Sequence, residues 1–163
     1  MVIKAVVYDA DKTLWNHHNI SELVEPMSVS GDVLVDGRGD RVVVFPGVRD
    51  TLKTLRETGI MLGLATWNYE SATKRVLSLL DLRFDVVVSK DYPYKFMMLM
   101  EFLIRASQLG MRIKPDEVLY VDDRRDHFGY IWFHIGKVKC LEMWKDVKEH
   151  REILKMIENE PNS

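Results

Sequence analysis

Residues 6–15 read VVYDADKTLW, an apolar strand that runs directly into two carboxylates, Asp9 and Asp11, separated by one residue. In open α/β sheets, ligands bind at the carboxyl ends of the strands, so both carboxylates stand where chemistry is expected. Asp and Thr are also ordinary turn and capping residues, so this stretch alone is equally compatible with a structural role. The rest of the sequence has to decide between the two interpretations.

Residues 118–126 read VLYVDDRRD and place a second acidic pair, Asp122 and Asp123, at the end of another apolar strand. If the two strand ends converge, the carboxylates repel one another and need a cation to offset their charge. Oxygen ligands without Cys or His at zinc spacing favour a hard ion, and Mg²⁺ suits them best. We therefore predict a magnesium site, although residues 122–126 alone are also compatible with a helix N-cap that has arginine partners.

Two further strand ends carry polar groups. Thr66 ends the apolar run 61–65, where its hydroxyl and nearby backbone amides could hold a phosphoryl oxygen. Lys90 and Lys95 follow another apolar run, and either could neutralise phosphate and carboxylate charge. Each signal is weak by itself. The order Asp-x-Asp, Thr, Lys, Asp-Asp at four successive strand ends favours the functional interpretation.

Short β-branched runs alternate with helical patterns, which is typical of a parallel α/β sheet covered by helices on both faces. The predicted strands cover residues 3–8, 60–65, 84–88, 118–121 and 131–135. The predicted helices cover residues 48–57, 70–80, 96–109 and 144–158, and a frayed tail is expected at 161–163. The pattern predicts a Rossmann-like, three-layer α/β/α fold.

One segment interrupts this alternation. About thirty residues, 16–46, separate the first strand from its crossover helix, where two to six residues are usual. Within it, residues 33–35 and 41–44 flank the polar turn DGRGD at 36–40, which predicts a β-hairpin. We expect one domain over residues 1–163, with this insertion as a minimal hairpin cap.

Composition limits the class of protein. The 163 residues carry a formal charge of −2, which gives no overall attraction to nucleic acid or to anionic membranes. A single cysteine, Cys140, excludes an intrachain disulfide, and the apolar N-terminal run is too short for a secretory signal or a membrane span. We expect a cytoplasmic protein, monomeric or weakly dimeric, without nucleic-acid or membrane partners.

The four-part array resembles the haloacid dehalogenase superfamily of aspartate-nucleophile phosphatases, whose motifs are Asp-x-Asp-x-Thr, a Ser or Thr, a Lys and an acidic pair. Within that superfamily, the motifs look like those of the magnesium-dependent phosphatase type one family. The stretches that carry this likeness are residues 8–15, 45–48, 91–95 and 121–125. The resemblance covers residues 3 to about 140 and implies a magnesium-dependent phosphomonoester hydrolase.

The resemblance implies a role for each matching residue. Asp9 would be the nucleophile that forms an aspartyl-phosphate, and Asp11 the acid that protonates the leaving oxygen and then the base for water. Lys95 would fix the charge between phosphate and Asp9, with Lys90 as a less favoured substitute. Mg²⁺ would be held by Asp9, the Asp11 backbone carbonyl and Asp123, with Asp122 behind them.

The resemblance also implies substrate contacts. Thr66 would bind a phosphate oxygen, and Trp67 and Asn68 stand where the family usually continues from serine into arginine. His17 and His18 follow the first motif and could touch substrate, although solvated loop positions are favoured for them. Six other conspicuous residues fit helix caps and core better than a cofactor site: Met97, Met98, Met100, His127, Trp132 and His134.

A minimal cap leaves the site open, so phosphorylated small molecules or phosphoproteins could enter, with phosphotyrosine and sugar phosphates as examples. The main alternative is a phosphoryl-accepting, receiver-like signalling module without turnover, which also gathers Asp, Thr or Ser, and Lys around magnesium. A receiver has its acidic pair after the first strand. Here Asp-x-Asp follows the first strand and Asp-Asp follows the fourth strand. The second alternative, a degenerate metal-binding domain, is disfavoured because every motif carboxylate is present.

Overall fold

The computed structural model describes residues 2–158 of the chain, so the tail expected at 161–163 lies outside the described residues. The strands are β1 Ala5–Tyr8, β2 Ser28–Ser30, β3 Val33–Val35, β4 Arg41–Val43, β5 Met61–Trp67, β6 Val86–Lys90, β7 Val118–Asp122 and β8 Lys139–Glu142. The helices are α1 Val48–Glu57, α2 Glu70–Leu80, α3 Lys95–Gln108, α4 Phe128–His134 and α5 Glu152–Glu158. Within residues 2–158, no helix has both the length and the apolar character needed to cross a membrane.

Five parallel strands form the central sheet in the order β6-β5-β1-β7-β8. The middle strand β1 is fully buried because helices cover both faces of the sheet. Val6 and Tyr8 pack in the core formed with α1, α2 and α5. Ala5 and Val7 pack in the core formed with α3 and α4. The predicted three-layer α/β/α fold with a central parallel sheet is confirmed.

The insertion between β1 and α1 forms a small antiparallel sheet in the order β2-β3-β4. The predicted hairpin is its β3–β4 half, and β2 is an additional strand that the sequence pattern did not indicate. The Asp36 carboxylate organises the turn, because it accepts hydrogen bonds from the backbone N–H groups of Val24, Arg38 and Asp40. Leu34 is buried in the same core as β1, so the small sheet packs against the rest of the fold.

Two predicted elements were wrong. Residues 131–134 belong to α4 instead of a strand, residue 135 follows that helix, and the fifth strand is β8. The apolar run at 131–135 resembled a buried strand, whereas β8 lies at the sheet edge and lacks a continuous apolar run. The last helix begins at Glu152 and not at 144, because Trp144 has a φ of 76° that no helix tolerates.

Candidate active site

Asp9 follows β1 directly, and its backbone N–H donates to the carbonyl of Val121 in β7, 2.8 Å away. This bond holds the ends of the two strands side by side. The Asp9 carboxylate is nearly buried and has two donors: Lys95 Nζ lies 2.7 Å from Oδ1, and Thr13 Oγ1 lies 3.0 Å from Oδ2. A buried carboxylate with a fixed cation and hydroxyl has a defined orientation.

Asp122 ends β7 and Asp123 follows it, beside Asp9. One carboxylate oxygen from each of the three residues lies within 4.8 Å of the other two. Burial, and next the charge of Asp9, raise the pKa of Asp122 well above its usual range and also raise that of Asp123. Crowded carboxylates therefore destabilise each other's charge, and a divalent cation would relieve that repulsion. The all-oxygen donor set fits Mg²⁺.

Lys95 is the first residue of α3 and is buried. Its ammonium group donates to Asp9 and to the carbonyl of Ala65 at 2.7 Å. Burial lowers the pKa of Lys95, but the charges of Asp9 and Asp122 outweigh burial, so the pKa is raised. Lys90 instead pairs with Glu101 at 2.9 Å. The structure thus brings Lys95, and not Lys90, to the carboxylates.

Asp11 is held from two sides. Trp15 Nε1 donates to its Oδ1 at 2.8 Å, and Asn68 Nδ2 donates to its Oδ2 at 2.9 Å. Burial raises the pKa of Asp11, the hydrogen bonds from Trp15 and Asn68 lower it, and the charge of Asp9 raises it, with a net increase. A carboxyl group that keeps its proton to higher pH than usual is suited to general-acid chemistry.

Thr66 and Trp67 end β5 and Asn68 follows it, and the three side chains differ in their surroundings. Thr66 is buried and its hydroxyl accepts a hydrogen bond from Asn68 Nδ2 at 2.7 Å, while Trp67 is exposed. Asn68 is also buried, and its Oδ1 accepts a hydrogen bond from Ser21 of the insertion at 2.6 Å. Its side chain is therefore occupied by protein partners, among them Asp11.

The site opens into a cavity of about 460 Å³, here called the catalytic cavity. Seven of the eight predicted site residues line it: Asp9, Asp11, Thr66, Trp67, Lys95, Asp122 and Asp123. Asn68 does not line the catalytic cavity and lies behind Asp11. His18 also lines this cavity and stacks on His17, with ring centroids 5.0 Å apart.

The predicted site residues did not include three residues that support the site. Thr13 Oγ1 lies 3.2 Å from Asp123 Oδ1 and accepts from the Asp123 backbone N–H, so it links the two acidic strand ends. The buried His150 lies 2.7 Å from the carbonyl of Thr13 through Nε2. The Tyr120 hydroxyl donates to Asp122. Thr13 stood in the quoted motif, but no local signal connects position 150 to position 13.

Comparisons with known proteins identify the family. Residues 1–109, more than half of the chain, match the sequence model of the acid phosphatase family. The chain belongs to this family. The acid phosphatase family carries the haloacid dehalogenase type of fold, so the predicted superfamily is confirmed. No curated protein matches the chain.

Several solved structures share the fold. A haloacid dehalogenase superfamily hydrolase from Geobacter sulfurreducens is 20% identical, with a TM-score of 0.67 over 95% of this chain and 100% of that one. A phosphatase domain from Bacteroides fragilis, complexed with Mg, is 17% identical, with a TM-score of 0.65 over 96% of this chain. This chain spans 40% of that Bacteroides chain. A predicted phosphoglycolate phosphatase from Haemophilus somnus is 13% identical, with a TM-score of 0.61 over 94% and 97% of the two chains.

Proposed function

We propose that the protein is a magnesium-dependent phosphatase that hydrolyses phosphomonoesters through an aspartyl-phosphate on Asp9. The observation that carries this proposal is the setting of the Asp9 carboxylate. It is fixed by Lys95 and Thr13, lies within 4.8 Å of the Asp122 and Asp123 carboxylates, and lines the catalytic cavity. A carboxylate held this way can attack an entering phosphoryl group.

The residues that would hold Mg²⁺ are Asp9, Asp123 and Asp122, together with the backbone carbonyl of Asp11. When bound, the ion would offset the charge of the carboxylates and of the phosphoryl oxygens and polarise the phosphorus centre. Lys95 supplies a second, permanent positive charge beside Asp9. The Thr66 hydroxyl, at the end of β5, would donate to a phosphoryl oxygen.

The first half-reaction transfers the phosphoryl group to the protein. A carboxylate oxygen of Asp9 attacks phosphorus, an O–P bond forms, and the bond from phosphorus to the ester oxygen breaks. The leaving oxygen takes the proton of the Asp11 carboxyl and departs as an alcohol. The raised pKa of Asp11 favours this role, because such a carboxyl holds its proton to higher pH than usual.

The second half-reaction restores the enzyme. Asp11, now ionised, takes a proton from water, and the resulting oxygen attacks the phosphorus of the aspartyl-phosphate. The bond from phosphorus to Asp9 breaks and inorganic phosphate leaves. Trp15 and Asn68 donate to the Asp11 carboxylate, so they stabilise its charged form between the two half-reactions.

The substrates we propose are phosphorylated small molecules or phosphoproteins, because the insertion at 16–46 contributes a small sheet instead of a separate enclosing domain. Residues 1–163 would act as one phosphatase domain with this insertion as its cap. The receiver-like alternative is not favoured, because the chain belongs to a family of phosphatases. The order of the motifs along the chain argues against it as well.

Release of phosphate from 4-nitrophenyl phosphate tests the proposal. We expect steady turnover with Mg²⁺, loss of turnover with a chelator and recovery when Mg²⁺ is restored. Asp9→Asn should abolish turnover, whereas the matched control Asp91→Asn, at an exposed position near α3, should keep the wild-type rate. Stoichiometric labelling of the wild type without turnover would contradict the proposal and favour the receiver-like module.

A further inference from the structure

A second cavity of about 450 Å³ lies between the start of α3 and the helix α4. Its apolar and aromatic wall is formed by Tyr94, Phe96, Met97, Tyr130 and His134. We call this cavity the aryl pocket. The predicted placement of Met97 in a cap or in the core was wrong, since its side chain is exposed within α3 and lines this pocket. His134 is exposed as well and lies at the C-terminal end of α4. Met100 and Trp132 are exposed as well, while Met98 is buried as predicted.

The aryl pocket continues directly from the catalytic cavity. Pro93, Lys95, Asp126 and His127 line both cavities, so the two share one rim. The local chain path explains this arrangement. Lys95 sends its ammonium group inward to Asp9, whereas its two sequence neighbours, Tyr94 and Phe96, line the pocket outside. A phosphoryl group at Asp9 therefore has the aryl pocket beside it.

The wall of the aryl pocket suits a flat apolar group. The rings of Phe96 and His134 stack with centroids 4.0 Å apart and an interplanar angle of 16°, and Tyr94 lies 6.1 Å from Phe96. Tyr94 and Tyr130 leave 54% and 64% of their surfaces exposed, which is costly for large rings unless something covers them. Aromatic walls bind planar rings by stacking and edge contacts.

The charges at the aryl pocket argue against a second anionic group. Lys95 is the one lysine or arginine among the described residues that line it, and its ammonium is engaged by Asp9. Arg124, near the shared rim, is likewise engaged, because it is paired with Asp126 at 2.7 Å. A leaving group with a further phosphate or carboxylate would meet no free lysine or arginine here.

We infer that the aryl pocket receives the aromatic leaving group of a small aryl phosphate whose phosphoryl group is attacked by Asp9. This inference rests on the proposed function, since it assigns the substrate class of that same site. The cavity volume falls in the range of pockets that enclose small organic ligands. The inferred specificity lies in the enzyme residues that contact the ring and not in the reactivity of the ester.

The test compares two substrates in matched variants. We measure kcat/KM for 2-naphthyl phosphate and for glycerol 1-phosphate and follow their ratio, because the ratio within one protein series cancels the intrinsic difference between the esters. Tyr130→Ala and Tyr94→Ala each remove an exposed ring and carry little risk to folding. We expect each to lower the naphthyl-to-glycerol ratio by about tenfold, the order of one lost aromatic contact with its buried area.

Phe133→Ala is the matched control, because Phe133 is an exposed aromatic residue of α4 that does not line the aryl pocket. It should keep the wild-type ratio. The same comparison with a short phosphotyrosine peptide shows whether a polypeptide can present the ring. A fall in the ratio of kcat/KM for either aryl substrate to that for glycerol 1-phosphate in the tyrosine variants supports the inference. An unchanged ratio in both tyrosine variants, with both esters still hydrolysed, would overturn the aryl pocket and leave the proposed function intact.

Binding of 2-naphthol tests the aryl pocket independently of the proposed phosphatase activity. If the wild type hydrolyses neither ester, the proposed function fails, and titration calorimetry with 2-naphthol then decides on the pocket. Binding of 2-naphthol that weakens about tenfold in Tyr130→Ala would support an aromatic subsite. Absence of 2-naphthol binding to the wild type would overturn it.

Discussion

Lys95 Nζ lies 2.7 Å from Asp9 Oδ1, although the two residues are 86 positions apart in the chain. The pair is buried, and Asp9 is one of three clustered carboxylates. Lys95→Met keeps the length of the side chain and removes its charge. We expect kcat for 4-nitrophenyl phosphate to fall by about a hundredfold to a thousandfold, as when one fixed electrostatic donor is lost.

The control for this variant is Lys90→Met, which removes a lysine that pairs with Glu101 away from the carboxylates. It should retain the wild-type kcat. Circular dichroism of both variants checks that the fold is preserved. If Lys95→Met kept wild-type activity, the role assigned to the lysine would be wrong.

Thermal unfolding with and without Mg²⁺ tests the carboxylate cluster. A ligand at about 100 times its Kd stabilises a protein by about 2.7 kcal/mol, which corresponds to a rise in Tm of about 5–10 °C at this size. Asp123→Asn should shrink that rise. Because the pKa of Asp123 is raised by burial and by Asp9, its ionised form is destabilising without metal, so the variant should unfold at a higher Tm than the wild type in chelator.

Asp91→Asn is the control for the magnesium measurement, because Asp91 is exposed and does not line the catalytic cavity. It should show the full wild-type rise in Tm. An equal rise in Asp123→Asn and in the wild type would mean that the ion binds elsewhere.

Asn68 is predicted to position Asp11 and to tune its proton affinity. Its amide donates to the Asp11 carboxylate and so favours the charged form. Asn68→Ala removes that donor, so the pKa of Asp11 should rise further. We expect the alkaline limb of the kcat/KM profile to move to higher pH, with a lower kcat. Tyr69→Phe, at the exposed neighbouring residue, should leave the profile in place, and an unmoved limb in Asn68→Ala would refute the positioning role.

His150 links stability to pH. Burial lowers the pKa of His150 to about 4, from 6.5, and its Nε2–H donates to the carbonyl of Thr13. In the unfolded chain, His150 therefore binds a proton near pH 6.5, whereas in the folded protein it binds one only near pH 4. The stability gained from keeping His150 neutral is fully present above pH 6.5. It is lost as the pH falls from 6.5 to about 4, by up to about 3 kcal/mol.

Urea unfolding at pH 7 and pH 5 measures this contribution. In His150→Gln, the loss of unfolding free energy between the two pH values should be smaller than in the wild type. His18→Gln, which removes an exposed histidine, should show the wild-type loss. Equal losses in His150→Gln and the wild type would contradict the linkage.

The sequence predicted those features that depend on local pattern. Continuous apolar runs identified β1, β5, β6 and β7, and the polar residues that follow them identified the acidic cluster. The family resemblance, and not the strand pattern, favoured Lys95 over Lys90. The edge strand β8 was missed because its sequence, KCLE, lacks a continuous apolar run, whereas the other edge strand, β6, has one. An aromatic segment in α4 was taken for a strand, because short apolar runs have the same appearance in both elements.

Contacts between distant segments could not be predicted. The role of Asn68 depends on its hydrogen bonds with Ser21 and Asp11, and these three residues come from different parts of the chain. His150 reaches Thr13 across 137 positions. The aryl pocket requires α3 and α4 to pack side by side with Tyr94 and Tyr130 facing one cavity. Such geometry is a property of tertiary packing and leaves no periodic signal in the sequence.

The central claim is that Asp9 receives the phosphoryl group. Asp11→Asn should slow release of that group from the protein, because the base for water is removed. We would mix this variant with 4-nitrophenyl phosphate and Mg²⁺, quench with acid, and map the modified peptide by mass spectrometry. The account predicts one added phosphoryl group on Asp9 in the peptide from residues 5–12. Phosphate release with no phosphoryl group on Asp9, or with the group on another residue such as Asp122, would contradict it.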